Sequence, residues 1–158
     1  ALIRRHYLGF IFQGYNLLAR TSALENVELP LLYRGMPRAD RRARARKALD
    51  AVGLLRWQDH SSNELSGGQQ QRVAVARAIA TDPQGRFADE PTGNLDSKVT
   101  KEVMDLIAGL NRSQGITVVM VTHEAAVAEY ARRVVTVHDG LIESDVPKHT
   151  RRDEMEVA

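Results

Sequence analysis

Residues 116–122 read Ile116-Thr117-Val118-Val119-Met120-Val121-Thr122, an unbroken apolar and β-branched run. Its length predicts a strand. The missing polar alternation predicts a strand of a parallel sheet, buried on both faces. Upstream, Ser97 to Asn111 predicts a helix with Val103, Leu106, Ile107 and Leu110 on one stripe, closed by Gly115. Downstream, Glu124 to Arg132 predicts a short helix. Val134–Val137 and Leu141–Glu143 then flank His138-Asp139-Gly140, the pattern of a hairpin with a tight Asp-Gly turn. Strand, helix and strand in alternation predict an α/β fold around a mainly parallel sheet.

The rest of the chain extends this pattern. Leu8 to Phe12 predicts a strand ending at Gln13-Gly14. Thr21-Ser22-Ala23-Leu24-Glu25 has the form of a helix start, and Pro30 is expected to break that helix. Pro37 to Val52 predicts a helix with Ala45, Ala48, Leu49 and Val52 inward and Gly53 as its stop. Its outer face is strongly basic (Arg34, Arg38, Arg41, Arg42, Arg44, Arg46, Lys47). No aromatics are interleaved, so it is read as a solvated face rather than a nucleic-acid groove. Ser66 to Thr81 predicts a further helix, with Val73, Ala76 and Ala80 on one face. From Val146 the chain is polar and is expected to fray.

Composition excludes several classes. The 158 residues carry 22 Lys and Arg against 20 Asp and Glu, a net charge of +2, less than a whole-surface polyanion binder would carry. There is no Cys, which excludes a disulfide scaffold, a Cys-based zinc site and a thiol nucleophile. No apolar run approaches the ~18 residues of a membrane-spanning helix. The start, Ala1-Leu2-Ile3-Arg4-Arg5-His6, has neither an initiator Met nor a signal-peptide layout.

Four places carry chemistry. Leu65-Ser66-Gly67-Gly68-Gln69 precedes a helix, where glycines let backbone N–H groups approach an anion; the plain alternative is a capping turn. Asp89-Glu90-Pro91 ends a strand. There one carboxylate can hold Mg²⁺ and the other can polarise a water, unless the pair is simply a surface turn. Asp96 or Ser97 caps the following helix. His123 and Gln13 each follow a strand end, where an imidazole or amide can reach a phosphate, although a lone His there is commonly structural.

The order of these motifs resembles the ATP-binding-cassette (ABC) ATPases. Phe12-Gln13, Leu65-Ser66-Gly67-Gly68-Gln69, Asp89-Glu90, Asn94-Leu95-Asp96 and His123 correspond to the Q-loop, signature, Walker B end, D-loop and switch histidine. Gly9-Phe10-Ile11-Phe12-Gln13-Gly14-Tyr15-Asn16-Leu17-Leu18 and Asp89-Glu90-Pro91-Thr92-Gly93-Asn94-Leu95-Asp96 are similar to the macrolide-export and lipoprotein-release branch. The resemblance covers about residues 3–143. It implies a P-loop NTPase-like fold over residues 1–145, with a helical arm at about 14–64 and a polar tail at 146–158.

The resemblance also implies a composite site between two cassettes paired head to tail, with ATP and Mg²⁺ sandwiched between them. Asp89 would hold the metal, Glu90 would polarise the attacking water, and Gln13 would sense both. His123 would contact the γ-phosphate. Ser66, Gly67, Gly68 and Gln69 would clamp the partner's ATP, and Asp96 would cross the interface. The implied partners are a second ATP-binding subunit and an integral membrane permease docked on the arm, at the cytoplasmic face of the inner membrane, with no nucleic acid. A catalytically inactive partner that only donates its signature turn, or a cell-division cassette, are the alternatives.

Two features depart from the family. No Gly-x-x-x-x-Gly-Lys-Ser/Thr loop occurs, so the chain resembles roughly the last two-thirds of a cassette, the N-terminal portion missing, and alone it is expected to be inactive. In addition, Gln84-Gly85-Arg86-Phe87 stands where aliphatic residues are expected before Asp89. A buried, unpaired Arg86 is expected to distort or expel that strand.

Overall fold

A computed structural model describes residues 8–83 and 85–148, which divide by their contacts into two units, one ending at Val121 and one beginning at Thr122.

In the first unit, β1 (Leu8–Phe12), β2 (Gly85–Asp89) and β3 (Thr117–Val121) form a parallel sheet in the order β1-β2-β3. The register aligns Phe10 with Phe87 and Val119, and Phe12 with Asp89 and Val121. One face carries Ile11, Arg86 and Ala88, all buried. The other carries Phe10, Phe12, Phe87, Val119 and Val121. Phe10 stacks on Phe12 at 5.9 Å and on Phe87 at 5.7 Å. That second face stays open among the described residues: Phe87 is 38% exposed and Val121 59%. The expectation that 116–122 is buried on both faces is therefore corrected. β3 lies at the sheet edge, and its residues 117, 119 and 121 are exposed.

Arg86 overturns a second expectation. The strand is not expelled; β2 pairs with both neighbours, and Arg86 is only 2% exposed. Two continuous backbone ladders hold the strand against the penalty of its side chain. Gln84 lies outside the described residues.

Three helices pack around α3 (Gly67–Ile79), which touches β1 as well. α1 (Ala23–Tyr33) starts in a capping box: Ser22 Oγ accepts from Glu25 N–H at 3.1 Å, and Glu25 Oε2 accepts from Ser22 N–H at 2.9 Å. Pro30 does not break α1; the helix continues to Tyr33. A proline removes one helical hydrogen bond, a loss that packing outweighs here, because Val27 and Leu31 on either side are fully buried. α2 (Arg38–Ala51) buries Ala45, Ala48 and Leu49, as its stripe predicts, and leaves its basic face outward. Val73, Ala76 and Ala80 are buried as expected, but Ala74, Val75 and Ala78 are too, so α3 is enclosed on more than one side. α4 (Ser97–Gln114) buries Val103, Met104, Ile107 and Leu110 and ends at left-handed Gly115.

The second unit holds a single helical turn, α5 (Ala125–Ala128), shorter than the helix expected over 124–132, and the antiparallel pair β4 (Arg133–His138) and β5 (Leu141–Pro147). Asp139 and Gly140 both take positive φ (49° and 77°), giving the predicted tight turn. Arg133 donates two hydrogen bonds to Asp145, at 2.7 and 2.6 Å. The hairpin runs further than its pattern suggested: Val146 and Pro147, expected in the polar tail, pair with β4. The rest of that tail, 149–158, lies outside the described residues.

Candidate functional site

Parallel strands bring their carboxyl ends to one sheet edge, where loops can converge on a ligand. Here Phe12, Asp89 and Val121 are in register at that edge, so Gln13 leaves β1 beside the point where Glu90 leaves β2. Glu90 takes a left-handed conformation (φ 44°), uncommon for a residue with a side chain, and its N–H donates to the Val121 carbonyl at 2.9 Å. Pro91 and Thr92 behind it are buried. The acidic pair therefore sits on an anchored turn.

Gln13 is held by the loop after that turn. Asn94 Nδ2 donates to the Gln13 carbonyl at 3.1 Å. The Gln13 side chain lies across Gly93, where an added Cβ would meet its Nε2 at 2.5 Å. Glycine at 93 is what gives the Gln13 amide its place.

At the start of α3, Ser66 Oγ accepts from Gln69 N–H at 3.3 Å, and Gln69 Oε1 accepts from Ser66 N–H at 2.9 Å. The capping reading of this turn holds, and it leaves two N–H groups available for the anion reading. The box uses the N–H groups of Ser66 and Gln69, while those of Gly67 and Gly68 meet no acceptor among the described residues. The turn is open: Ser66 is exposed and both glycines are half-buried. It thus presents two bare donors at the positive end of a 13-residue helix.

Gly68 is also required by packing. An added Cβ would lie 2.5 Å from Val99 Cγ1 on α4, and valine cannot swing aside. Gly68→Ala is expected to destabilise the fold by roughly 1–3 kcal/mol, and Gly68→Ala with Val99→Ala to recover part of it, as a denaturant titration of the parent and both variants would show.

Asp96 rather than Ser97 caps α4; its Oδ1 accepts from Lys98 and Val99 N–H groups at 3.0 Å each. His123 is exposed and stands in the second unit, just before α5. The convergence described here is that of Gln13, Asp89 and Glu90 within the first unit. No group of three or more His, Cys, Asp or Glu is placed to hold a metal ion among the described residues. Adjacent carboxylates at a strand end still suit Mg²⁺, which takes one or two protein oxygens and fills its shell with water and phosphate.

Two residues of the site escaped the sequence. Gln71 is fully buried and donates from Nε2 to the Pro91 carbonyl, tying α3 to the acidic turn. It shares a stripe with Ala74, Val75 and Ala78, and a polar residue on a buried stripe is the signal that could have found it. Arg77 donates to the carbonyls of Tyr15 (2.9 Å) and Asn16, just past Gln13. Burial pushes its pKa below the usual arginine value.

The family described as "ABC transporter" matches residues 2–93. The macrolide export ATP-binding/permease protein MacB of Chlorobaculum tepidum is 50% identical over 150 residues, covering 95% of this chain and 23% of that protein. An uncharacterized ABC transporter ATP-binding protein of Thermotoga maritima is 50% identical over 143 residues, covering 90% of this chain and 61% of that one. The dimeric structure of MJ0796, a bacterial ABC transporter cassette, superposes with a TM-score of 0.79 at 46% identity, over 92% of this chain and 64% of that chain. A post-hydrolysis state of the same cassette bound to ADP and Pi gives 0.78. The chain thus spans less than two thirds of the length of each of these relatives.

Proposed function

Because the chain belongs to the ABC transporter family of ATP-binding domains, we propose that it powers an exporter by hydrolysing ATP to ADP and phosphate, in a macrolide-, lipoprotein- or peptide-exporting assembly. The reading is carried by the joint placement of Gln13 and Asp89-Glu90 at one sheet edge.

Asp89 would hold Mg²⁺, which when bound offsets phosphate charge. Glu90 sets its carboxylate one residue beyond, on the turn anchored to Val121, where it orients a water and accepts its proton. Gln13, whose backbone carbonyl accepts from Asn94 and whose side chain lies over Gly93, hydrogen-bonds that water. His123 contacts the γ-phosphate. In a head-to-tail dimer, Gly67 and Gly68 donate their bare N–H groups, and Ser66 its hydroxyl, to the partner's nucleotide, while Gln69 keeps the turn in shape and Asp96 faces the partner. Phosphoryl transfer needs this kind of positioning and charge stabilisation more than covalent chemistry. A membrane permease docks on the helical arm at the cytoplasmic face of the inner membrane. No described helix is long and apolar enough to cross a membrane. The test is phosphate release by the assembled transporter, which must depend on Glu90.

A second reading, a partner that only completes another subunit's site, is favoured by one observation. The Ser66–Gln69 turn at the start of α3 is open and presents the N–H groups of Gly67 and Gly68 outward. Glu90→Gln in the assembled transporter separates the two. Both readings expect phosphate release to vanish with Ser66→Ala and Gly67→Asp together, but the first expects it to fall with Glu90→Gln and the second expects it to persist.

A further inference from the structure

We propose that Arg77 is a positioning residue that latches the loop after Gln13 onto α3, so that the helix gripping the partner's nucleotide also sets the stance of Gln13 on its own. The functional half of this proposal rests on the composite-site reading above; the latch itself does not.

The loop is gripped at two heights of one helix. Near the start of α3, the Tyr15 hydroxyl lies 3.0 Å from where a Cβ on Gly67 would sit. Ten residues on, about 15 Å along the helix axis, the Arg77 guanidinium reaches back with two nitrogens to the Tyr15 and Asn16 carbonyls. Tyr15 and Asn16 both hold positive φ (58° and 49°), a conformation that non-glycine residues keep only when their surroundings impose it. Local bonds, Tyr15 N–H to the Phe12 carbonyl at 3.2 Å and Asn16 N–H to the Gly14 carbonyl at 2.6 Å, complete the turn. Beyond it the chain is held by something else: Leu18 N–H donates to Asn26 Oδ1 at 2.8 Å.

A fork of two nitrogens on two successive carbonyls is a geometry that arginine supplies and lysine does not. Gln71 makes the companion tie from α3 to Pro91. A displacement of α3 at its Ser66 end is therefore passed to both loops that flank the sheet edge. Arg72 is the natural control. It lies on the same helix with the same charge, but it pairs with Glu102 on α4 at 3.2 Å.

The experiment compares Arg77→Gln, Arg77→Lys and Arg72→Gln in the assembled transporter. Without nucleotide, amide exchange at Tyr15 and Asn16 is expected to accelerate about tenfold in Arg77→Gln and less in Arg77→Lys, with Leu18 unchanged and Arg72→Gln like the parent. With ATP, kcat is expected to fall about tenfold with KM within about twofold, and Arg77→Lys to restore part of it. Exchange at Tyr15 and Asn16 that matches the parent in both Arg77 variants overturns the latch. So does acceleration that spreads equally to Leu18, which marks general loosening, and a loss carried by KM alone confines Arg77 to binding and overturns it too. Should Arg77→Gln not fold, Arg77→Lys reads the same outcomes. Glu90→Gln separates the two claims: if it leaves turnover intact, the composite-site reading fails whatever the exchange shows. If it abolishes turnover while the Arg77 variants match the parent, only the latch fails.

Discussion

Arg86→Ile is expected to raise the unfolding free energy by about 3 kcal/mol, because a buried guanidinium without a partner carries most of its desolvation penalty into the folded state. Arg86 is 2% exposed, and Nε and both terminal nitrogens find no hydrogen-bond partner among the described residues. Its pKa is pushed down to about 10 by burial, and the charge of Asp82 recovers only part of the loss. Isoleucine has nearly the volume of arginine and suits a central strand, so the exchange removes the charge without opening a large cavity. A thermal melt should show Tm higher by about 10 °C.

The pH dependence has a defined sign. The unfolded guanidinium keeps its proton to a much higher pH, whereas the folded one releases it from about 10. Below pH 10 both states are protonated and the full penalty stands. Above it the folded state sheds the charge first, so the gap between the parent and Arg86→Ile narrows as pH rises. Denaturant titrations of both proteins at pH 7 and pH 10.5 check this. No difference in stability at pH 7 would show that Arg86 is satisfied in solution.

Glu90→Gln is expected to lower ATP turnover of the assembled transporter by about 10²–10⁴-fold while nucleotide binding persists. The glutamine amide is nearly isosteric and keeps the left-handed turn and the 2.9 Å bond to the Val121 carbonyl, neither of which uses the side chain. What it loses is the capacity to take a proton from water. Paired measurements of phosphate release and nucleotide affinity separate this from a folding defect. Turnover that persists in Glu90→Gln would remove Glu90 from the role of base.

What the sequence made legible were groups that leave a local trace. Ser66-Gly67-Gly68, Asp89-Glu90 and Asn94-Leu95-Asp96 all stand at element ends, where glycine, carboxylate and capping residues mark a turn, and their order resembled a family that the comparisons bear out. Residues that act on distant backbone were hidden. Arg77 binds carbonyls 61 and 62 positions away, and Gln71 binds one 20 away, so no short window could link them. Pro30 misled because breaking is a local tendency, while Val27 and Leu31 are held by tertiary packing. Arg86 misled for a related reason: side-chain cost was weighed without the two ladders that fix β2. The open side of β3 was illegible, since an apolar run records what a strand is suited to touch and not what lies above it.

The partly exposed rings of Phe12 and Phe87, with the more open Val119 and Val121 beside them, have a practical meaning for anyone handling these 158 residues by themselves. A greasy platform that ends in a strand edge solicits further strands and oily surfaces alike. These 158 residues are expected to associate with one another as their concentration climbs and to brighten a hydrophobic dye while folded, which light scattering and dye fluorescence would check.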